Sequence, residues 1–517
     1  MLVNSGLEAS ARQTPDREAL VCGTRRLTYR ELNDAANRVA DGLRQLGVGR
    51  GDRVVVHLEN SVEAVLTIFG ALKAGAVFVP VNPTVKADKL LYLLNDCEAS
   101  VLVSDRRALP VVTDAVSKCG ALNAVVLVGE CTGDIGIERH PIVWFAALAS
   151  TEPPADAADR RRPIDQDLAA LIYTSGSTGR GKGVMLTHAN MVAAASSIQD
   201  YLRNTPNDVI LDVLPLSFDY GLYQIFLAFN AGARLVLERS FAYPTALLDL
   251  MVREGVTALP IVPMIAALLL KLDLGAYELR SLRYVTNTGA ALPTAHINTL
   301  RERLPHVRIF SMYGLTECKR VSYLDPAEID ARPGSVGKAM SNVEVYLVDE
   351  AGRRMDHGIG ELVVRGSNVM QGYWRSPEDT ARVLKPGLLP GERVLHTGDI
   401  FRIDDDGFMY FQSRTDDVIK SRGQKVSPRE IENVLHAIPG VAEAAVIGVP
   451  DPVLGEAIKA FVTVTRSSPL TEQDVLRQCA QALEDFMVPK WVEIVDALPR
   501  TGSGKVARKA LGRPVLP

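Results

Sequence analysis

Nine consecutive residues, 174–182 (TSGSTGRGK), contain only Thr, Ser, Gly, Arg and Lys. They follow an apolar run at 168–172 and Tyr173, and they precede a segment, 184–195, whose composition suits a helix. The apolar run reads as a buried strand. Nothing in the nine residues can build a core. They offer bare backbone N–H groups, the hydroxyls of Thr174, Ser175, Ser177 and Thr178, and the cations of Arg180 and Lys182. That set is suited to wrapping a polyphosphate. A flexible Gly/Ser linker is the alternative, but linkers seldom join a buried strand to a helix.

The generic phosphate-loop pattern G-x-x-x-x-G-K-[ST] fits from Gly176 to Lys182 and fails at Gly183, where a hydroxyl would hold Mg²⁺. Residues 209–212 (VILD) read as an apolar strand ending in a carboxylate, Asp212, a second metal candidate for such a loop. The missing hydroxyl argues against a P-loop NTPase. Residues 173–184 (YTSGSTGRGKGV) instead resemble the phosphate loop of the adenylate-forming ligases, which include acyl-CoA synthetases and peptide-synthetase adenylation domains. Gly181 stands where Pro is common. The resemblance implies that Thr174, Ser175, Gly176, Ser177, Thr178, Gly179 and Lys182 bind ATP, with Thr174 also counted as catalytic.

A chain of 517 residues exceeds what one core supports, so two or more domains are expected. A net charge of −4 gives no footprint for nucleic acid. Six cysteines without paired spacing point away from disulfides and zinc and towards a reducing cytoplasm. The first twenty residues lack the apolar core of a signal peptide. The apolar stretch 256–270 is too short to span a membrane and carries Pro260 and Pro263.

Along the chain, residues 28–47 form an amphipathic helix pattern, and strand-like runs at 52–58, 76–81 and 100–104 alternate with helical segments. This is the texture of parallel α/β units. A second α/β segment spans about 205–320, and short β-prone runs between 333 and 412 suit a small barrel-like sheet. After Ser413 a charged stretch leads to a tail with helices at 428–437 and 471–484 and strands at 444–449 and 458–465. The expected fold is α/β. A large N-terminal domain, 1–412, holds two α/β subdomains and the barrel-like one; a hinge, 413–417, leads to a small α+β domain, 418–517.

Four further motifs match the same superfamily in order. Tyr313-Gly-Leu-Thr-Glu317 puts a hydroxyl and a carboxylate where a Mg²⁺–triphosphate needs them. The resemblance implies that Tyr313 stacks on adenine, Gly314 and Thr316 contact the nucleotide and Glu317 ligates Mg²⁺. Asn287-Thr-Gly-Ala-Ala291 matches the adenine edge, with Gly289 and Ala290 at the ring and Thr288 on the acyl pocket. His396-Thr-Gly-Asp399 supplies the ribose carboxylate, Arg414 adds a contact and Asp416 falls at the hinge. Lys505, in Leu498-Pro-Arg-Thr-Gly-Ser-Gly-Lys505, matches the lysine that bridges substrate carboxylate and α-phosphate. Rotation about Asp416 would then withdraw Lys505 and present the face around residues 420–423 for thioester formation. The implied cofactors are ATP and Mg²⁺, with CoA or a phosphopantetheine thiol as acceptor.

The acid is the open question. Where acyl-CoA synthetases often read P-L-F-H-x-Y-G, residues 215–221 read PLSFDYG, so Phe218 replaces His and Asp219 follows. Asp219 resembles the aspartate that holds the α-ammonium in amino-acid adenylation domains. The expectation therefore leans to a small or cyclic amino acid loaded onto a separate carrier protein. A non-amino acid joined to free CoA is the alternative, with Asp219 paired to a structural Lys or Arg. Phe218, Asp219, Tyr220, Tyr223, Thr288 and Met312 are the pocket residues expected, with Pro263, Met264, Thr286 and Val321 as further wall. Lys319 and Arg320 stand out after Glu317, and the sequence does not fix which way they face.

Overall fold

The computed structural model describes residues 1–120, 122–130, 135–151, 163–174, 181–415, 419–421, 424–451, 455–465, 469–483, 487–501 and 505–512. Two large sheets carry most of the chain. In the first, strands Glu18–Cys22, Arg234–Leu237, Val209–Asp212, Ala258–Ile261, Tyr284–Asn287 and Arg308–Tyr313 run parallel, in that spatial order. In the second, Arg53–His57 lies between Val77–Pro80 and Ala99–Asp105, all parallel. These strands are rich in β-branched residues because both faces are covered by helices, which suits near-continuous apolar runs.

Helix Val62–Ala74 from the second sheet packs against helix Asp219–Ala231 from the first. Phe69 meets Phe226 edge-on at 5.9 Å and Phe229 at 5.6 Å, and Phe78 joins them beneath. One continuous core therefore binds both sheets. The apolar stretch after Val256 resolves into strand Ala258–Ile261 and helix Pro263–Leu269, with Pro263 at the first helical turn, where its missing N–H costs nothing. Among the described residues no helix is long and apolar enough to cross a membrane. Cys22, Cys97, Cys119, Cys318 and Cys479 are unbridged, and Cys131 lies outside the described residues.

The segment after the polar loop departs from expectation. Lys182–Thr187 is a strand, antiparallel to Leu168–Thr174, and the helix begins only at His188. Val184 and Leu186 are buried against the partner strand. Thr187 then caps the helix, its hydroxyl accepting from the Asn190 N–H in a capping box. The loop therefore closes a β-hairpin. The chain on its far side is a strand, not a helix, unlike the strand–loop–helix order of a P-loop NTPase.

Asp212 is no metal ligand either. It is fully buried in the first sheet; Oδ1 accepts from the Leu214 N–H at 3.0 Å and Oδ2 has no partner. Burial pushes its carboxyl well above the usual 3.8. The folded protein then holds a proton that the unfolded chain releases above pH 3.8, so Asp212 favours folding at low pH and opposes it as pH rises. Asp212→Asn should gain stability over the parent by up to about 1.4 kcal/mol per pH unit until the folded-state pKa is passed. Melting curves from pH 4 upward check this, and parallel curves for the two proteins would contradict it.

Strands Val343–Val348, Gly358–Gly366, Arg393–Ile403 and Met409–Arg414 belong to a six-stranded antiparallel sheet, standing where the barrel-like unit is expected. Beyond it, strands Val441–Asp451, Gly455–Val464 and Trp491–Ile494 and helices Pro428–Ala437 and Glu472–Ala482 enclose cores of their own, drawn only from residue 419 onward.

Candidate active site

Strand Arg308–Tyr313 ends the parallel run, and the chain doubles back into the antiparallel pair Ser322–Tyr323. The turn between them is tight. The N–H groups of Cys318 and Lys319 both donate to the Leu315 carbonyl, at 3.1 and 2.7 Å, and that of Val321 donates to Tyr313 at 2.9 Å. A Cβ on Gly314 would lie 2.1 Å from the Lys319 carbonyl oxygen, so only glycine fits. Asn368 clamps the far side, its amide donating to the carbonyls of Cys318 (2.8 Å) and Arg320 (2.9 Å). Lys319 is held at φ 65, the left-handed region, a conformation that costs a non-glycine residue on the order of 1 kcal/mol.

Tyr313 at the strand end donates its hydroxyl to Asp399 Oδ2 at 2.6 Å, and its ring meets Phe401 edge-on at 4.7 Å. Asp399 is 4% exposed. Arg414 Nη1 lies 3.2 Å from Oδ1, near enough to attract by charge but off hydrogen-bonding geometry, so Oδ1 has no hydrogen-bond partner among the described residues. Burial raises the Asp399 carboxyl above its usual range, against the opposing pull of Arg414, Tyr313 and Lys505.

Glu317 Oε1 accepts from the Tyr373 hydroxyl at 2.7 Å. Lys182 sits over the Tyr373 ring, 5.3 Å from its centroid, and pairs with Asp379 at 2.8 Å. Gly372–Tyr373 is itself strand-paired to Lys182–Thr187, so the hairpin and Glu317 are tied through one tyrosine. Thr174 pairs across the hairpin with Lys182. Ser175, Gly176, Ser177, Thr178, Gly179, Arg180 and Asp416 lie outside the described residues, as do the Lys420 side chain and Gly423.

Phe218, Asp219, Tyr220, Tyr223, Thr288, Gly289, Gly314 and Thr316 line a single cavity of about 430 Å³, open mouth included, and Lys505 reaches it from the C-terminal segment. Gly289 adopts φ +83, and a Cβ there would come within 3.1 Å of the Phe218 ring. Ala290 is fixed beside it, its carbonyl accepting from Asn287 Nδ2 at 3.0 Å. Met312 is not on the cavity wall. It points into the core, where its sulfur accepts from the Tyr201 hydroxyl at 3.0 Å. Pro263, Met264, Thr286 and Val321 are absent from the wall as well. Along a strand, side chains alternate between faces, and Met312 falls on the wrong one.

Four wall residues were not assigned a place from sequence: Ile198, Leu315, Lys319 and Arg320. The last two bear on Asp219. Lys319 Nζ stands 3.7 Å from Asp219 Oδ2 and 5.3 Å above the Tyr223 ring. A protein ammonium thus faces Asp219, the arrangement that its pairing with a structural Lys or Arg expects.

The AMP-binding enzyme family model matches residues 7–374. The chain belongs to that family. The family's C-terminal domain matches residues 430–505, and with it the chain is an adenylate-forming ligase. The ligase is 32% identical over 518 residues to 4-coumarate-CoA ligase 1 of Narcissus pseudonarcissus, covering 96% of this chain and 91% of that protein. It is 33% identical to tyrocidine synthase 3 of Brevibacillus parabrevis, covering 98% of this chain but 8% of that much longer protein. Its fold matches an anthranilate CoA ligase, AuaEII, solved with anthranoyl-AMP, at a TM-score of 0.89 and 29% identity, over 99% of the ligase and 96% of that chain.

Proposed function

We propose that the ligase activates a compact, non-amino carboxylic acid with ATP and passes the acyl group to the thiol of CoA. A carboxylate oxygen bonds to the α-phosphorus of ATP and pyrophosphate leaves. The thiol sulfur then attacks the acyl carbon, and AMP departs carrying that oxygen. The observation that carries this reading is the convergence of Lys505, Thr316 and Gly289 on one cavity whose neighbour is the Tyr313–Asp399 pair.

In this reading Asp399 accepts from the ribose hydroxyls through Oδ1, which takes no hydrogen bond from the described residues, with the Arg414 charge beside it. Adenine lies against Tyr313 and the Gly289–Ala290 backbone. Residues 174–179 and Lys182 wrap the phosphates, and Lys505 stabilises charge as the carboxylate meets the α-phosphate. Residues 1–412 and 418–517 act as two bodies, with Asp416 at the hinge.

Glu317 is the residue that would hold Mg²⁺. Among the described residues no three His, Cys, Asp or Glu cluster into a cage. One oriented carboxylate suits an ion that takes most of its ligands from phosphate and water. Bound there, Mg²⁺ neutralises phosphate charge. Tyr373→Phe removes the hydrogen bond that orients Glu317, and AMP formation should fall about tenfold with a higher Mg²⁺ requirement. An unchanged Mg²⁺ titration would count against this placement.

The amino-acid alternative loses its support because Asp219 already faces Lys319. Acceptance of CoA is supported by relatives named as CoA ligases. ATP–pyrophosphate exchange across amino and non-amino acids tests the reading. Exchange with non-amino acids is expected. Exchange with amino acids alone would overturn the substrate assignment, and exchange with none would overturn the whole.

A further inference from the structure

Lys319 and Arg320 are adjacent cations on the wall of the same cavity, and both are buried, at 6% and 5% exposed. Neither is satisfied. Among the described residues Lys319 Nζ makes no hydrogen bond, since 3.7 Å to Asp219 is too long for one, and Arg320 leaves Nε and Nη1 without partners. Asp219 offsets one of the two charges, and Glu317 stands within electrostatic reach of Lys319. Arg320 forms no ion pair among the described residues; its guanidinium lies over the Tyr220 ring, 5.4 Å from the centroid. Buried charges are ordinarily paired and hydrogen-bonded, because leaving one without a partner costs several kcal/mol. The fold also spends backbone strain at Lys319 and an asparagine clamp at Asn368 to keep this arrangement. The cavity wall therefore carries more buried donors than the described residues satisfy.

We propose that the acid carries a second carboxylate, and that Lys319 and Arg320 grip it while Lys505 attends the reacting one. The proposal rests on the ligase reading above. Nε and Nη1 of Arg320 supply charged N–H donors of the kind a carboxylate accepts. Lys319 supplies a point charge beside it, and Asp219 keeps Lys319 aimed. Phe218, Tyr220 and Tyr223 line the same cavity, so the skeleton expected between the two carboxylates is a compact one.

The test compares saturated and aromatic dicarboxylic acids (succinic, glutaric, adipic, phthalic) with monocarboxylic acids of matching skeleton (butyric, valeric, hexanoic, benzoic). Two readouts are used on the full chain: kcat/KM for AMP formation, and calorimetric binding in the presence of a non-hydrolysable ATP analogue. Diacids are expected to be preferred by about a hundredfold or more, because a site built to bond a polar group rejects analogues that lack it. Arg320→Met and Lys319→Met should each flatten that preference to within about tenfold, and Arg320→Lys should restore part of it. Each variant's melting temperature is recorded; should Arg320→Met fail to fold, Lys319→Met still reads the ratio. Monoacids used as well as diacids by the parent, or a preference that survives both Met variants, would overturn the proposal and leave the ligase reading standing. Selective, Arg320-dependent diacid binding with no AMP from any acid would sustain the anion site and overturn the ligase reading instead.

Discussion

Lys505→Ala should lower AMP formation from acid and ATP by about a thousandfold, the loss typical of removing one preorganised charge-stabilising donor. Thioester formation from a supplied acyl-adenylate should persist. Lys505 is solvent-exposed, so no core is disturbed by truncating it. Its backbone is nonetheless fixed, with the Thr501 N–H donating to the Lys505 carbonyl at 2.8 Å and Arg500 bridging Val506. Its ammonium lines the cavity beside Thr316 and lowers the Asp399 carboxyl from a distance. On the proposed reading a cation held at that place acts where negative charge gathers as the carboxylate meets the phosphate, and it has no part in the later attack of sulfur on carbon. Stopped-flow measurement of the two half-reactions separates the cases, and equal loss of both would remove Lys505 from its assigned role.

Asp399→Ala should raise KM for ATP enough to cut kcat/KM about a hundredfold, since hydrogen bonds to a charged acceptor contribute about 1.5–3 kcal/mol each. The cause lies in the geometry. Tyr313 fixes Oδ2 and leaves Oδ1 as a buried acceptor that takes no hydrogen bond from the described residues, so it can accept one from a nucleotide. If that donor is a ribose hydroxyl, the parent enzyme should discriminate strongly against deoxy-ATP and the variant should not. The two losses would then be strongly non-additive. Additive losses in the variant with deoxy-ATP would place the ribose elsewhere.

What the sequence revealed, and what it hid, divides along physical lines. Strands such as Arg53–His57 and helix Tyr29–Gln45 were legible because their apolar periodicity answers directly to burial. The motif residues Tyr313, Glu317, Asp399 and Lys505 stood out because each is a polar side chain in a motif that the resemblance matches, and the roles proposed for them rest on that match. The hairpin at Lys182–Thr187 was not legible, because a six-residue run with Val184, Leu186 and Thr187 fits either element until its partner strand is known. Tertiary pairing decided it. Met312 was misplaced for the same reason, as the face of a strand cannot be assigned without the sheet. Which lysine or arginine would face Asp219 was not legible, because Lys319 lies a hundred residues away and reaches it only through a turn that Gly314 permits. The doublet Lys319-Arg320 was visible as unusual. Its direction became visible only with the clamp from Asn368 and the left-handed backbone at Lys319.

The most direct measurement follows oxygen. With the acid labelled by ¹⁸O in the carboxyl group whose thioester forms, and with ATP and CoA supplied, one labelled atom should appear in the phosphate of AMP for each thioester made. Label in orthophosphate with ADP as product, or AMP without label, would contradict an acyl-adenylate route.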